Sequence, residues 1–170
     1  MKKTIQTLAV VSLLSTSTII ANDDIYLGLQ YGGVSVKKDI TDKYMGQVIV
    51  GGFGDIFAIH GRGLYKFSEE KYYNLYGYGG LSYASTEEGT RFGAEKIEVK
   101  TTGYGVSVGA GLEYNIQAYN SNLPPIYFNM ELGFAMMSAD AEAKYNGETF
   151  SAAEADLGGV AVNGGIHYRF

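Results

Sequence analysis

Residues 103–117 read GYGVSVGAGLEYNIQ, and their alternation decides the fold class. Every even position in this stretch is apolar, and every odd position is glycine or polar. A helix would repeat its apolar residues every 3.6 positions, whereas a strand points successive side chains to opposite faces. The stretch therefore predicts a long β-strand with one apolar face and one polar face.

The same alternation recurs along the chain. Seven segments show it clearly, namely 25–36, 44–53, 56–67, 72–84, 103–117, 126–138 and 158–170. Composition agrees, because 24 glycines and 15 tyrosines with only two prolines suit strands better than helices. An eighth strand would be either 91–100 or a second short strand within 22–42. We expect one all-β domain of eight antiparallel strands.

The first 21 residues differ from the rest of the chain. Lys2 and Lys3 precede an apolar run from Ile5 to Leu14, and small residues follow up to Ala21. This order is typical of a secretory signal peptide. The apolar run is also shorter than the roughly 20 residues that a membrane-spanning helix needs. We predict a signal peptide at 1–21 and a mature domain at 22–170.

Composition and spacing disfavour several kinds of function. The chain has no cysteine, which excludes disulfides and thiolate metal ligands. Its formal net charge of −5, without a basic stripe, argues against a nucleic-acid partner. Glycines such as those of 103–109 lack the strand–turn–helix context of a nucleotide-binding loop, and the acids of 139–157 lack the spacing of a calcium loop. We expect no cofactor and no metal.

Alternation alone fits a soluble secreted β-sandwich as well as a membrane barrel. Two features favour an apolar face turned outward, toward lipid. Aromatic residues cluster at strand ends, as in the interfacial girdles of membrane barrels, and the opposite face mixes glycines with charged residues. An eight-stranded barrel is just wide enough for its own side chains to fill it. We predict that the inward residues form a paired polar network of His60, Arg62, Lys66, Glu113, Glu131, His167 and Arg169.

The chain ends on NGGIHYRF (163–170), which alternates up to a final aromatic residue. The signal peptide, the alternating segments and the terminal Tyr-Arg-Phe resemble the small outer-membrane barrels of the OmpA/OmpX type in Gram-negative bacteria. The resemblance implies an antiparallel transmembrane up-and-down β-barrel that contacts outer-membrane lipid. It also implies that the barrel-assembly machinery reads the last strand at Gly164, Ile166, Tyr168 and Phe170.

The same resemblance predicts a function in envelope integrity or in surface adhesion and recognition. If the Phe170 end lies in the periplasm, the stretches 85–102 and 139–157 become long external loops. We expect any surface or host ligand to bind at these loops.

A lipid-modifying outer-membrane enzyme is the alternative. Such a hydrolase or acyltransferase needs a nucleophile activated by a base, and only His60 and His167 could serve as that base. Neither histidine has an obvious serine partner in the sequence. A His–Ser pair at a lipid-facing rim would favour the enzyme, whereas inward histidines paired with glutamates would exclude it. We expect no enzyme activity.

Hairpin geometry predicts the partners of the two inward glutamates. The turn at 117–125 places Glu113 opposite Asn129, and the following hairpin brings Glu131 near His167. Because buried carboxylates are very costly without a cation beside them, we predict that Glu131 contacts His167 or an inner arginine. We also predict that no continuous water channel crosses the interior.

Overall fold

The computed structural model describes residues 25–52, 55–92, 95–145 and 148–170. All regular structure in these residues is β-strand, which confirms the predicted all-β class. None of them forms a helix long and apolar enough to cross a membrane. The predicted signal peptide at 1–21 lies outside the described residues.

Each strand pairs with the next in an antiparallel sheet. The strands of the described residues are β1 (Ile25–Gln30), β2 (Gly33–Asp39), β3 (Tyr44–Gly51), β4 (Ile56–Glu69), β5 (Tyr73–Phe92), β6 (Glu95–Asn115), β7 (Ile126–Tyr145) and β8 (Glu148–Arg169). β8 also pairs with β1, so the sheet closes on itself. The predicted antiparallel sheet is therefore a ring, and it is not the pair of stacked sheets of a β-sandwich.

The structure corrects two strand assignments and confirms the alternative in which two short strands lie within 22–42. Residues 25–36 do not form one strand, because β1 ends at Gln30 and β2 begins at Gly33. Tyr31 and Gly32 turn the chain between them with φ of 54° and 69°. Such φ values are easy for glycine and uncommon for tyrosine, which hides the turn in the sequence. Residues 91–100 are not a separate strand, since their described part belongs to the end of β5 and the start of β6.

The stretches 85–102 and 139–157 are not loops, which is a further correction. Their described residues continue the strands β5 to β8. The last residue of β5 that pairs with β4 is Thr86. Beyond that level β5 to β8 stand as a four-stranded sheet, which we call the blade and define as residues 87–92, 95–102, 138–145 and 148–157.

The two ends of the ring differ in their connections. One end, which we call the terminal end, carries Ile25, Phe170 and the turns that follow β2, β4 and β6. The opposite end carries the short turn after β1 and the blade. The strands therefore extend much farther along the ring axis at β5 to β8 than at β1 to β3.

The register of the strands allows the difference in strand height to be estimated. If each residue is followed to its paired neighbour, starting at Tyr168 on β8 and passing through β1 to β7, the path returns to β8 at Gly158. The stagger of the closed sheet is therefore ten residues. Closed sheets with such a stagger have strands tilted by about 35–45°, so each residue climbs about 2.5 Å along the axis. The 6 residues of β1 then cover about 15 Å and the 22 residues of β8 about 55 Å.

Candidate functional site

All seven residues of the predicted interior network occupy inward positions on their strands. Five are buried, namely Arg62, Lys66, Glu113, Glu131 and His167, whereas His60 and Arg169 are partly exposed. The structure does not join them into one network. It divides them among separate groups at different levels of the ring.

Arg62 and Glu131 form the group farthest from the terminal end. Arg62 donates to both carboxylate oxygens of Glu131, at 2.9 and 2.6 Å. The Tyr76 hydroxyl and the Asn163 amide donate to the same carboxylate at 2.7 and 3.1 Å. The guanidinium also lies over the ring of Tyr78, 4.0 Å from its centroid. Glu131 thus contacts an inner arginine, which is one of the two predicted partners.

Inward glycines provide the room that these side chains need. A Cβ added at Gly109 would lie 2.7 Å from the Cζ atom of Tyr78, and one added at Gly111 would collide with the ring of Tyr76. Both tyrosines are buried. The glycines of β6 therefore allow two tyrosine rings to cross a narrow interior and reach the Arg62–Glu131 pair.

A second buried ion pair joins Lys37 to Glu113. Glu113 lies opposite Asn129, as the hairpin geometry predicts, but Lys37 is absent from the predicted network. Lys37 lies one residue beyond the segment 25–36, which was predicted to be the first strand. Ser35, Lys37 and Asp39 alternate with their neighbours, and this alternation could have identified Lys37 as an inward residue.

His167 has a partner that the sequence did not indicate. Its Nε2 atom lies 2.9 Å from the hydroxyl oxygen of Ser35. The predicted approach to Glu131 does not occur, because Glu131 is paired with Asn163. The prediction placed the centre of the hairpin near residue 148, the midpoint of 139–157, whereas β7 and β8 stay paired up to Tyr145 and Glu148.

The His167–Ser35 pair does not have the setting that the enzyme alternative requires. The two residues are only 1% and 0% exposed, so the pair lies inside the ring and not at its outer rim. Within the described residues the Nδ1 atom of His167 has no hydrogen-bond partner. A catalytic triad needs an acid at this position to orient the imidazole. His60 is stacked on Tyr31, with ring centroids 5.5 Å apart.

The third group lies at the terminal end. Asp39 is 3.2 Å from the Nζ atom of Lys66 and 3.9 Å from a guanidinium nitrogen of Arg169. It also accepts a hydrogen bond from the Tyr26 hydroxyl at 3.1 Å. These side chains line a polar cavity of about 540 Å³ that also reaches Tyr127. The Lys37–Glu113 pair and the Arg62–Glu131 pair lie above it.

The outward face of the ring is apolar, and we call it the belt. Large aliphatic and aromatic side chains cover this face on all strands and are exposed. They include Leu29, Val36, Val48, Ile59, Leu81, Val106, Val108, Leu112, Leu132, Phe134, Met136, Val160, Val162 and Ile166. Val160 is 75% exposed. The ring therefore has largely the reverse of the usual soluble arrangement, since charged residues are buried inside it and most of its large aliphatic residues are exposed outside. Met45, Ile49 and Leu64 are aliphatic residues that are buried.

Aromatic pairs border the belt. At the terminal end the rings of Tyr44 and Tyr65 are 5.1 Å apart, and those of Tyr168 and Phe170 are 5.0 Å apart. At the margin nearer the blade Tyr83 faces Tyr104, with centroids 5.3 Å apart. Both margins of the apolar surface thus carry exposed aromatic residues.

The blade has the opposite polarity. Its outward face carries charged residues, namely Glu87, Glu98, Lys100, Asp140, Glu142, Glu154 and Asp156. On β6 to β8 its inward face is formed mainly of alanine and aliphatic residues, namely Val99, Ala139, Ala141, Ala143, Ala153, Ala155 and Leu157, together with Thr101. The apolar face therefore changes from the outer to the inner side where the strands pass from the belt into the blade.

No cluster of three or more His, Asp or Glu residues suited to a metal ion occurs in the part of the chain that the structure describes. Comparison with protein families, with curated proteins and with solved structures finds no match to this chain. The geometry of the ring is therefore the basis for a functional assignment.

Proposed function

We propose that this chain is an eight-stranded transmembrane β-barrel of the Gram-negative outer membrane, with a filled interior and an external blade. It would support the integrity of the envelope and present the blade for surface recognition or adhesion. The belt is the observation that carries this proposal.

An apolar belt is costly in water. Soluble monomers rarely expose contiguous apolar patches larger than a few hundred Å². Here the exposed aliphatic side chains continue around the whole ring, from Leu29 on β1 to Val162 on β8. In lipid, exposure of this apolar surface carries no such cost. A closed sheet is also one of the two structures whose backbone hydrogen bonds can all be satisfied within a bilayer.

The spacing of the aromatic margins also supports insertion. On β6 the outward residues Tyr114 and Tyr104 border the belt at its two ends, and both are exposed. They are ten residues apart, which corresponds to about 25 Å along the axis. The apolar band of outer-membrane barrels is also about 25 Å tall.

The buried ion pairs favour a support over a pore. Arg62–Glu131 and Lys37–Glu113 each join strands on different sides of the ring. Tyr76 and Tyr78 are buried beside the Arg62–Glu131 pair. These side chains support the filled interior of this proposal.

Localisation and heat sensitivity test the proposal together. We expect the protein to remain with the outer membrane on fractionation, and we expect the folded form to migrate faster than the heated form on a detergent gel. Recovery in the periplasm without a heat-dependent shift would contradict the proposal.

The last strand provides a test of assembly. Ile166, Tyr168 and Phe170 point outward and are exposed, and Gly164 shares their face. We propose that these four residues are the signal read by the barrel-assembly machinery. Deletion of Phe170 should lower the amount of protein in the outer membrane severalfold. Phe67→Ala is the matched control, because Phe67 is also an outward aromatic residue near the terminal end. Equal yields of the two variants would contradict the assignment.

A further inference from the structure

The closed sheet is lowest at β1 and β2. β1 has 6 residues and β2 has 7, so these strands rise by only about 15–18 Å along the ring axis. On β6, Tyr104 and Tyr114 border the belt and are about 25 Å apart along the same axis. The outward surface of β1 and β2 is therefore shorter than the belt on β6.

The pairing of the strands gives the same result independently. Five successive pairs connect Tyr104 on β6 with Leu29 on β1, and they pass through Tyr83, Ile59, Val50 and Val34. Neighbouring strands are about 4.8 Å apart and tilted by about 35–45°, so each step toward β1 descends by about 3 Å. Leu29 thus lies about 15 Å below Tyr104, and the turn at Tyr31 and Gly32 lies about 10 Å below it.

The outward side chains of β2 also define a short apolar surface. Val34 and Val36 point outward, and the next outward residue is Lys38, which is exposed. Val34 and Lys38 are separated by about 10 Å along the axis. On β8 the outward apolar residues extend from Val160 to Phe170, about 25 Å. The belt is therefore interrupted beside β8.

Unpaired backbone makes this part of the ring polar. β8 pairs with β1 only between Gly165 and Arg169. The N–H group of Phe170 donates to the Ile25 carbonyl of β1, and backbone groups alternate between the two sides of a strand. The groups of every second residue in 158–164 therefore face the same side as that of Phe170, where the described residues place no strand beside them. Such groups are very costly in hydrocarbon. We call β1, β2 and this edge of β8 the low side.

A bilayer of uniform thickness does not fit the low side. Its apolar band would reach about 10 Å above the turn at Tyr31 and Gly32 and would surround the unpaired edge of β8. A bilayer adapts to a shorter hydrophobic surface by local thinning. We propose that the blade-side leaflet is thinned at the low side, so that lipid headgroups and their water descend to this turn and hydrate the edge at 158–164. This inference rests on the proposed insertion of the ring in a membrane.

The absence of tryptophan in the chain allows depth in the bilayer to be measured at single positions. Leu29→Trp and Ala110→Trp are a matched pair, because both positions are outward and exposed and both lie about 15 Å below Tyr104. Each variant is inserted into phosphatidylcholine vesicles that carry a doxyl quencher either near the headgroup or near the end of the acyl chain. A heat-dependent gel shift verifies insertion first, so that failure of the proposed function is distinguished from failure of this inference.

We expect the ratio of shallow to deep quenching to be about twofold or more higher for Leu29→Trp than for Ala110→Trp. In vesicles of short-chain lipid the two ratios should approach each other, because that bilayer already matches the low side. Tyr44→Trp and Tyr114→Trp control for a tilt of the whole ring. Both positions lie at the terminal margin of the belt, on different sides of the ring, and they should give equal ratios.

Backbone hydrogen exchange of the unmodified chain tests the hydration of the β8 edge. In intact vesicles we expect alternate amides of 158–164 to exchange about tenfold or more faster than those of 104–110. The second segment is the matched control, because it lies in the belt and is paired with a strand on both sides.

Three results would overturn the proposal. Equal quenching ratios for Leu29→Trp and Ala110→Trp in the inserted protein would show a bilayer of uniform thickness. An equally large difference between Tyr44→Trp and Tyr114→Trp would assign the effect to a tilt of the ring. Equal protection of 158–164 and 104–110 from exchange would show that the edge of β8 is covered and not hydrated.

Discussion

Strand β7 crosses two regions that distribute the same kinds of side chain in opposite ways. Between Ile126 and Met137 its outward residues are apolar, and its inward residues include the buried Asn129 and Glu131. Between Ser138 and Tyr145 the outward residues include Asp140 and Glu142, and the inward residues are mainly alanine. One continuous strand therefore carries an apolar outer face in the belt and a charged outer face in the blade.

Under the proposed function, the reversal reflects what each region contacts. In that proposal lipid surrounds the belt, so its outward side chains can be apolar, and the inward charges are tolerated because each has a partner. In the blade, outward charges are solvated, and the inward apolar face has no packed interior to enter. The change occurs near the level of Tyr83 and Tyr104, where we place the outer surface of the membrane.

The largest expected effect lies inside the ring. Glu131→Ala leaves Arg62 buried without its carboxylate, and we expect a loss of about 3–5 kcal/mol in the free energy of unfolding. Glu154→Ala removes the same side chain from the outward face of the blade and should change stability by less than about 0.5 kcal/mol. Urea unfolding in lipid vesicles measures both. Similar losses for the two variants would remove the distinction between the regions.

The next effect compares two outward positions on β7. Leu132→Arg places a charge in the belt and should cost about 2–4 kcal/mol if this position lies near the bilayer midplane. Asp140→Arg places the same residue on the same face of the blade and should cost less than about 0.5 kcal/mol. The same urea titration applies. If Leu132→Arg is as stable as the parent, the belt does not face lipid.

A smaller effect compares two inward glycines. Gly109→Ala adds a methyl group 2.7 Å from the Tyr78 ring and 2.5 Å from the Leu132 carbonyl oxygen, so we expect a loss of about 1–3 kcal/mol. Gly159→Ala adds the same group on the inward side of β8, where nothing lies within 4 Å. It should be neutral or stabilise the protein by up to about 1 kcal/mol. A large loss at Gly159 would contradict the open surroundings of this position.

Much of the belt and part of the interior followed from the sequence. Alternation in 103–117 and 126–138 assigned each residue to the correct face, because a period of two leaves only two registers. The pairing of Glu113 with Asn129 also followed, since β6 and β7 are paired without a bulge. The pairing of Glu131 with Asn163 did not, because β7 and β8 stay paired up to Tyr145 and Glu148, so the midpoint of the supposed loop 139–157 gives the wrong register.

The blade was read as loops for a physical reason. Its outward residues are charged and its inward residues are small, so 139–157 lacks the bulky apolar face by which a strand in the belt is identified. Lys37 was missed because the turn at Tyr31 and Gly32 contains no sequence signal of the kind that hairpins usually show. Alternation does not reveal a turn of this kind, because the turn depends on the φ angles of Tyr31 and Gly32.

Thiol labelling tests the central claim most directly, because the chain has no cysteine of its own. Leu132→Cys and Asp140→Cys place single thiols on the outward face of β7, one in the belt and one in the blade. In lipid vesicles with the blade outside, we expect a water-soluble maleimide to label position 140 rapidly and position 132 only after unfolding in urea. Rapid labelling of both positions in the intact vesicles would show that the belt is in water and would contradict the account.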